Sequence, residues 1–366
     1  MVGFAMSIHP KYNDIQSVLI AGTSWLGDAV ITIPTVYGIR SLFPQAHLSV
    51  LAKDTIADIF RAVPAVDEII SFHKGKGINK PAGLLQTVRT VKEKAFDLAI
   101  IFSRSFGSAI ICFLARIPRR VGFNAGIRNM FLTEILQRNN DILSVHQVHY
   151  YKKLLAPFGR ARFPELPRLV VPDADKKWAR EFLLSKKKGS QAFTVGLNPG
   201  STYGEAKQWL PERFEKLSEK LLSEIDCKII IFGDSATVPL AEKINAGING
   251  RAVDVSGRTG ILQLTALLEC CDVLVTNDTG PMHVAGAVGT PVVAVFGSTD
   301  PRATAPLGPN AGIVRKSVPC SPCLKRKCPE GHYQCLHAVS VDDVEAAVLK
   351  QLKIKSALEK QNIISN

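Results

Sequence analysis

Twice along the chain, short apolar runs alternate with segments of helical length. The first series reads strand "SVLIAG" (17–22), a helix from about Asp28 to Phe43, strands "HLSVLA" (47–52) and "DEIISF" (67–72), helix "PAGLLQTVRTVKEKA" (81–95), strand "DLAIIF" (97–102) and helix "FGSAIICFLARI" (106–117). Apolar strands without in–out alternation are buried on both faces, and parallel strands need a crossover between them. The series predicts a parallel sheet covered by helices on both sides. A second series of the same kind runs from "AFTVGLNPG" (192–200) to "PVVAVFG" (291–297). Between them, "RARFPELPRLVVPDAD" carries three prolines and reads as a linker. The expected architecture is α/β: two doubly wound, Rossmann-like domains facing across a cleft. The first spans 1–165 and the second 166–345. A C-terminal helix and tail, 346–366, can pack back on the first domain. At 366 residues the chain is long enough for two cores.

Ligands of such sheets bind beyond the carboxyl ends of the strands. Three loops stand there. "VTNDTGPMHVAGAVG" (275–289) crowds Asn277, Asp278, Thr279, Gly280 and His283 into a strand-to-helix turn. A helix N-terminus offers free N–H groups and partial positive charge to an anion, and Gly280 permits close approach. The ordinary alternative is a capped helix in which Asp278 or Thr279 serves only the backbone. "NPGSTYGEAKQWLPERF" (198–214) supplies the hydroxyls of Ser201 and Thr202 and the cation of Lys207, with Trp209 and Phe214 packed on the sheet. Two anion-seeking loops in one domain suggest a diphosphate, although neither a P-loop nor a dinucleotide fingerprint is present. "GTSWLGDAV" (22–30) places Asp28 near a helix start, where it could serve as general base or merely complement the helix dipole. A phosphate cradle and a carboxylate suit transfer of a sugar from a nucleotide diphosphate to a hydroxyl.

The net charge of +13 fits an anionic partner: nucleic acid, a phosphate-rich substrate or an anionic membrane face. A nucleic-acid module would need stacking aromatics or a recognition helix. Aromatics make up only 7% and neither feature is found, so no nucleic acid is expected. No apolar run reaches membrane-spanning length, and the N-terminus lacks a signal pattern, so a cytoplasmic protein is expected.

Cys112, Cys227, Cys270 and Cys271 lie in apolar patterns and read as small core residues. Cys320, Cys323, Cys328 and Cys335 are spaced C-x2-C-x4-C-x6-C, which suggests a structural zinc site; free thiols or a disulfide are the alternatives. His332 and His337 could also serve as ligands, and Lys325, Arg326 and Lys327 could carry this loop toward an anion.

"GTSWLGDAVITIP", "KQWLPERF" and "NDTGPMHVAGAVGTPVVAVFGSTDP" together resemble the bacterial ADP-heptose:lipopolysaccharide heptosyltransferases, in the expected order and over nearly the whole chain. "FSRSFGSAIICFLARIPRRVGF" and "CSPCLKRKCPEGHYQCL" look most like the type II enzymes, which add the second heptose of the inner core. The resemblance implies a GT-B fold, inversion at the anomeric carbon and no catalytic metal. It implies that Asp28 is the base and that Lys207, Ser201, Thr202, Asp278, Thr279, Gly280 and His283 attend the donor phosphates, with Asp234 near the nucleoside. The partners so implied are ADP-heptose, a lipid A–Kdo–heptose acceptor and, peripherally, the anionic inner-membrane surface. A related enzyme using another nucleotide-sugar is the alternative, and a non-catalytic anion-binding module a more distant one. Arg104 and Arg120 are expected to contact acceptor anions, among the basic residues Arg119, Arg128, Lys74, Lys76 and Lys80; for Arg120 an internal structural role is the alternative. "DAD" (173–175) mimics a metal motif of another glycosyltransferase class but opens a helix, so no metal is expected there.

Overall fold

The computed structural model describes residues 8–72, 80–186, 191–308 and 310–364, with side chains except at 80, 81, 140, 141 and 354–364. Two compact units result, Met1–Val170 and Val171–Asn366. The boundary lies inside the proline-rich linker, five residues beyond the expected one. The reason is local: Val170 N–H donates to the Ala62 carbonyl at 2.8 Å, and Leu169 is buried, so this stretch stays with the first unit.

The first unit holds β1 (Ser17–Ala21), β2 (His47–Lys53), β3 (Glu68–Phe72), β4 (Leu98–Ile101), β5 (Arg119–Phe123) and β6 (Glu134–Leu136), all parallel, in the order β3-β2-β1-β4-β5-β6. The second holds β7 (Phe193–Asn198), β8 (Cys227–Ile231), β9 (Val253–Asp254), β10 (Val273–Asn277), β11 (Val292–Val295) and β12 (Ala311–Val314), ordered β12-β11-β10-β7-β8-β9 and again parallel. The two sheets are therefore wired alike. In each, the strand order reverses beside the first strand, between β1 and β4 and between β7 and β10. Those reversal points, at the carboxyl ends, are where a doubly wound sheet binds its ligand.

The central strands are apolar on both faces because helices cover both. β1 buries Val18, Leu19, Ile20 and Ala21; β8 is buried throughout. Trp209 is fully buried, with its indole N–H donating to the Val339 carbonyl at 3.1 Å and its ring edge-on to Phe214 at 5.0 Å. Replacing it with alanine is expected to cost about 3–5 kcal/mol.

Three strands went unread in the sequence. β5 opens on two arginines, β6 has three residues, and β12 has four with little burial. The last helix, Val341–Ile364, is also not a separate segment. Val344, Val348 and Leu352 enter the second unit's core with β10 and β11 residues. Its described side chains thus belong to the core of the second unit. "DAD" begins the helix Asp173–Ser185; Pro172 occupies the cap position, and Asp173 and Asp175 lie in the positive first turn.

Candidate active site

In the second unit, three consecutive residues from the end of β10 each reach the end of β7 or the loop after it. Asn277 accepts from Trp209 N–H (2.9 Å) and donates to the Pro199 (2.8 Å) and Gly200 (3.2 Å) carbonyls. The Asp278 carboxylate lies 2.6 Å from Lys207 Nζ and accepts from Thr299 Oγ1 at 2.7 Å. The Thr279 hydroxyl accepts from Asn198 Nδ2 at 2.9 Å. The polar crowding at this turn thus joins two ligand-end loops. It is not helix capping, since the Thr279 side chain caps nothing. Behind it, Gly280 opens the nine-residue helix Gly280–Val288 with His283 buried in its first turn.

These contacts fix Lys207. Asp278 is 3% and Lys207 12% exposed, so their pairing is shielded from water. The ammonium also stands 4.5 Å from the Tyr203 ring centre, whose other neighbour is the Arg326 guanidinium at 5.2 Å. Asp278 would repel a diphosphate if it faced one; its place here is to position Lys207. The Ser201 hydroxyl is buried without a protein partner, as suits a group meant for a ligand. Asp234 binds Thr237 through its N–H (3.1 Å) and hydroxyl (2.7 Å) and takes Thr202 Oγ1 at 3.4 Å, so it ties the β7 loop to the end of β8. Gly200 and Gly233 both crowd this Thr237: an added Cβ would lie 2.3 Å and 2.5 Å from its side chain.

In the first unit, Asp28 is half-buried in the first turn of the helix Leu26–Leu42. It lies close enough to Tyr151 to help raise that hydroxyl's pKa well above the usual value, although burial is the larger cause. The Thr23 hydroxyl, just past β1, is buried without a partner. Beyond β4, β5 and β6 stand Arg104, Arg128 and Arg138, each within electrostatic reach of Tyr150. Arg128 is 1% exposed; it donates to the Ser103 carbonyl and, at 2.7 Å, to the Phe123 carbonyl, and burial pulls its pKa down. Arg128 Nε, Arg138 Nε and the Tyr150 hydroxyl are buried and unpartnered, and among the described residues none of the three arginines forms an ion pair. Like charges gathered in this way would suit an anion. Sequence reading named Arg104 but missed Arg138 and Tyr150, because nothing in "LQRNND" or "VHYYKK" marks a ligand end until β6 is known to be a strand.

Arg120 is not part of this group. It lies in the first half of β5, opposite Ala99, away from the ligand end. Its guanidinium donates to the Phe131 (2.6 Å) and Ile117 carbonyls and stacks 5.5 Å over Phe113. The expectation that it contacts acceptor anions is therefore corrected: those donors hold the sheet edge. Lys74 and Lys76 lie outside the described residues, as does the Lys80 side chain.

The cysteine loop packs against the loop after β7 and the segment after β11: Ala206 N–H donates to the Arg326 carbonyl at 3.1 Å and Leu324 N–H to the Ser298 carbonyl at 2.7 Å. Cys320, Cys323, Cys328 and Cys335 line one small cavity of about 50 Å³ with His332 and Ser298. Backbone N–H groups, that of Tyr333 foremost, hold the Cys328 thiol below its ordinary pKa, while burial pushes Cys335 up. As placed, no group of three or more His, Cys, Asp or Glu among the described residues could hold a metal ion.

The sequence profile of glycosyltransferase family 9 (heptosyltransferase) matches residues 84–334. The chain belongs to glycosyltransferase family 9. This glycosyltransferase is 28% identical over 348 residues to lipopolysaccharide heptosyltransferase 2 of Escherichia coli, covering 92% of this chain and 97% of that protein. It is 29% identical over 343 residues to lipooligosaccharide heptosyltransferase 2 of Haemophilus ducreyi, covering 90% and 97%. The solved structure of E. coli ADP-heptose LPS heptosyltransferase II superposes with a TM-score of 0.79 at 25% identity, over 93% of this chain and 99% of that one. Among the described residues, no helix is long and apolar enough to cross a membrane.

Proposed function

We propose that this glycosyltransferase moves a heptose from ADP-heptose onto the heptose of a lipid A–Kdo–heptose acceptor, adding the second heptose of the lipopolysaccharide inner core. The observation that carries this reading is the shielded Lys207–Asp278 pair at the strand-order reversal of the second unit, in a chain alike end to end to heptosyltransferase 2 proteins. We infer inversion without a catalytic metal. Asp28 takes the proton of the acceptor hydroxyl. That oxygen attacks the anomeric carbon from the side opposite the diphosphate, and the bond from this carbon to the phosphate oxygen breaks. The electron pair leaves on ADP, whose growing charge meets Lys207 and the N–H groups at Gly280. Ser201 and Thr202 donate to the phosphates, and His283 and Asp234 stand in the same donor site. Arg104 and Arg138 hold an acceptor anion near Asp28, with the buried Arg128 adding charge behind them.

The acceptor is lipid-anchored, so the enzyme works from the cytoplasm as a peripheral protein of the inner membrane, which its +13 charge favours. A structural zinc ion on Cys320, Cys323, Cys328 and Cys335 belongs to the same reading. The four thiols are a zinc-type donor set bordering one cavity, but as placed they do not converge on a common ion, so zinc would have to draw them together. The deciding experiment is mass spectrometry of the product formed from ADP-heptose and a truncated core bearing one heptose. A mass gain of one heptose supports the reading; transfer only from another nucleotide-sugar overturns it.

A further inference from the structure

One helix of the first unit is apolar on two faces, and only one is covered. In Phe106–Leu114, Ala109 and Cys112 enter the core. Phe106, Ile110, Phe113 and Leu114 recur at i, i+4, i+7 and i+8 on the other face, where Phe106, Phe113 and Leu114 are 45%, 43% and 41% exposed. Beside it runs the 3₁₀ helix Gly126–Phe131, which sets the Phe131 ring edge-on between Phe106 and Phe113, 5.1 Å from each. A 3₁₀ helix brings residues i and i+3 into line. Ile127 and Met130 therefore stand side by side, 74% and 67% exposed. An exposed apolar surface of this kind marks a docking site.

The charge around it says what docks. Residues 104–131 contain five arginines (104, 116, 119, 120 and 128) and no aspartate or glutamate. Arg104 leads into the helix, Arg116 is exposed just past its end, and Arg120 lies over Phe113. A second copy of the chain makes a poor occupant, since a two-fold contact would press these arginines on their own kind. A surface of lipid phosphates matches both the apolar centre and the cationic rim.

We propose that this face docks on an anionic bilayer, with Phe106, Phe113, Leu114, Ile127 and Met130 entering the interface and the exposed Arg104 and Arg116 meeting headgroup phosphates, while Arg119 stays paired with Asp14 and Arg120 and Arg128 with backbone carbonyls. The proposal rests on the reading of the acceptor as lipid-anchored. It goes further in naming the surface and in placing it next to the Arg104–Arg128 anion site, so that docking would bring a membrane-held acceptor to Asp28.

The test is flotation of the full chain with vesicles of phosphatidylglycerol and phosphatidylethanolamine, against vesicles of phosphatidylcholine alone. The wild type is expected to float with the anionic vesicles and be released by salt. Ile127→Ser with Met130→Ser should lower partition about tenfold with Tm unchanged, because both side chains are exposed. The same variant should keep the wild-type rate on a deacylated, soluble acceptor and slow on a vesicle-borne one. Wild-type partition in the double variant overturns the proposal, as does its conversion of a dimer to a monomer in sedimentation, which would make the face a self-contact. If the wild type transfers no heptose to either acceptor, the functional reading fails while the flotation result still judges the surface.

Discussion

Lys207 Nζ and Asp278 Oδ2 stand 2.6 Å apart at the meeting of two loops, and both side chains are largely out of water. The acid holds the lysine in one place, and the lysine keeps its other donors for a ligand. Lys207→Ala and Asp278→Asn are each expected to lower kcat/KM by about 10²–10³. Because they act as one unit, the double variant should lose little more than the worse single one. Multiplicative losses in steady-state kinetics would show that the two act separately.

Asp28→Asn should reduce transfer by at least about 10²-fold while ADP binding, read by calorimetry, stays at the wild-type value. The substitution removes a proton acceptor in the first unit and leaves the donor loops of the second untouched. Unchanged turnover would remove Asp28 from the chemistry.

Arg104 and Arg120 should part company. Arg104→Ala is expected to raise acceptor KM several-fold at low salt and less at about 0.5 M salt, since an exposed cation is screened. Arg120→Ala should leave KM alone and lower Tm, because its guanidinium serves the Phe131 and Ile117 carbonyls. The reverse outcome in the same two assays would return Arg120 to the acceptor site.

Elemental analysis of protein purified in reducing buffer without chelator should find about one zinc per chain, falling in Cys320→Ser and Cys328→Ser. Well under one zinc, with four titratable thiols, would leave the cavity as a packed thiol cluster.

Asp343 carries a pH dependence. Lys316, 2.7 Å away, and then Ser340 hold its carboxyl down to about 2 from an ordinary 3.8. A depressed carboxylate stabilises the fold above its unfolded pKa, and that contribution is lost as pH falls from about 4 toward 2. Asp343→Asn should therefore cost about 1 kcal/mol in urea unfolding at pH 7, allowing for partial exposure, and progressively less below pH 4. A gap between the two proteins that is constant with pH would reject the account.

Much of this was legible in the chain itself. The apolar runs of β1, β2, β7, β8, β10 and β11 are long and uninterrupted, so their period announced them. "RRVGF" hid β5 behind two arginines whose guanidiniums leave the sheet at its end. With β5 and β6 unseen, Arg138 and Tyr150 had no ligand end to belong to, and Arg120 was set at the wrong end of its strand. The two loops that meet at the strand-order reversal of the second unit were recognisable from Lys207 and the "NDTG" turn. The division of labour was not. That Asn277 binds loop carbonyls while Asp278 holds a lysine depends on contacts across some seventy positions of chain, which no local pattern records.

Lys207 and Arg326 both approach the Tyr203 ring, and the next residue, Gly204, adopts φ 147° with the Arg326 carbonyl 2.4 Å from where a Cβ would sit. Arg326 lies between Cys323 and Cys328. The thiol loop and the donor lysine are thus mechanically neighbours through a single aromatic ring. Chemistry that tightens or loosens the sulfur cluster, such as alkylation or oxidation, would be felt at Lys207 as a change in where its ammonium stands.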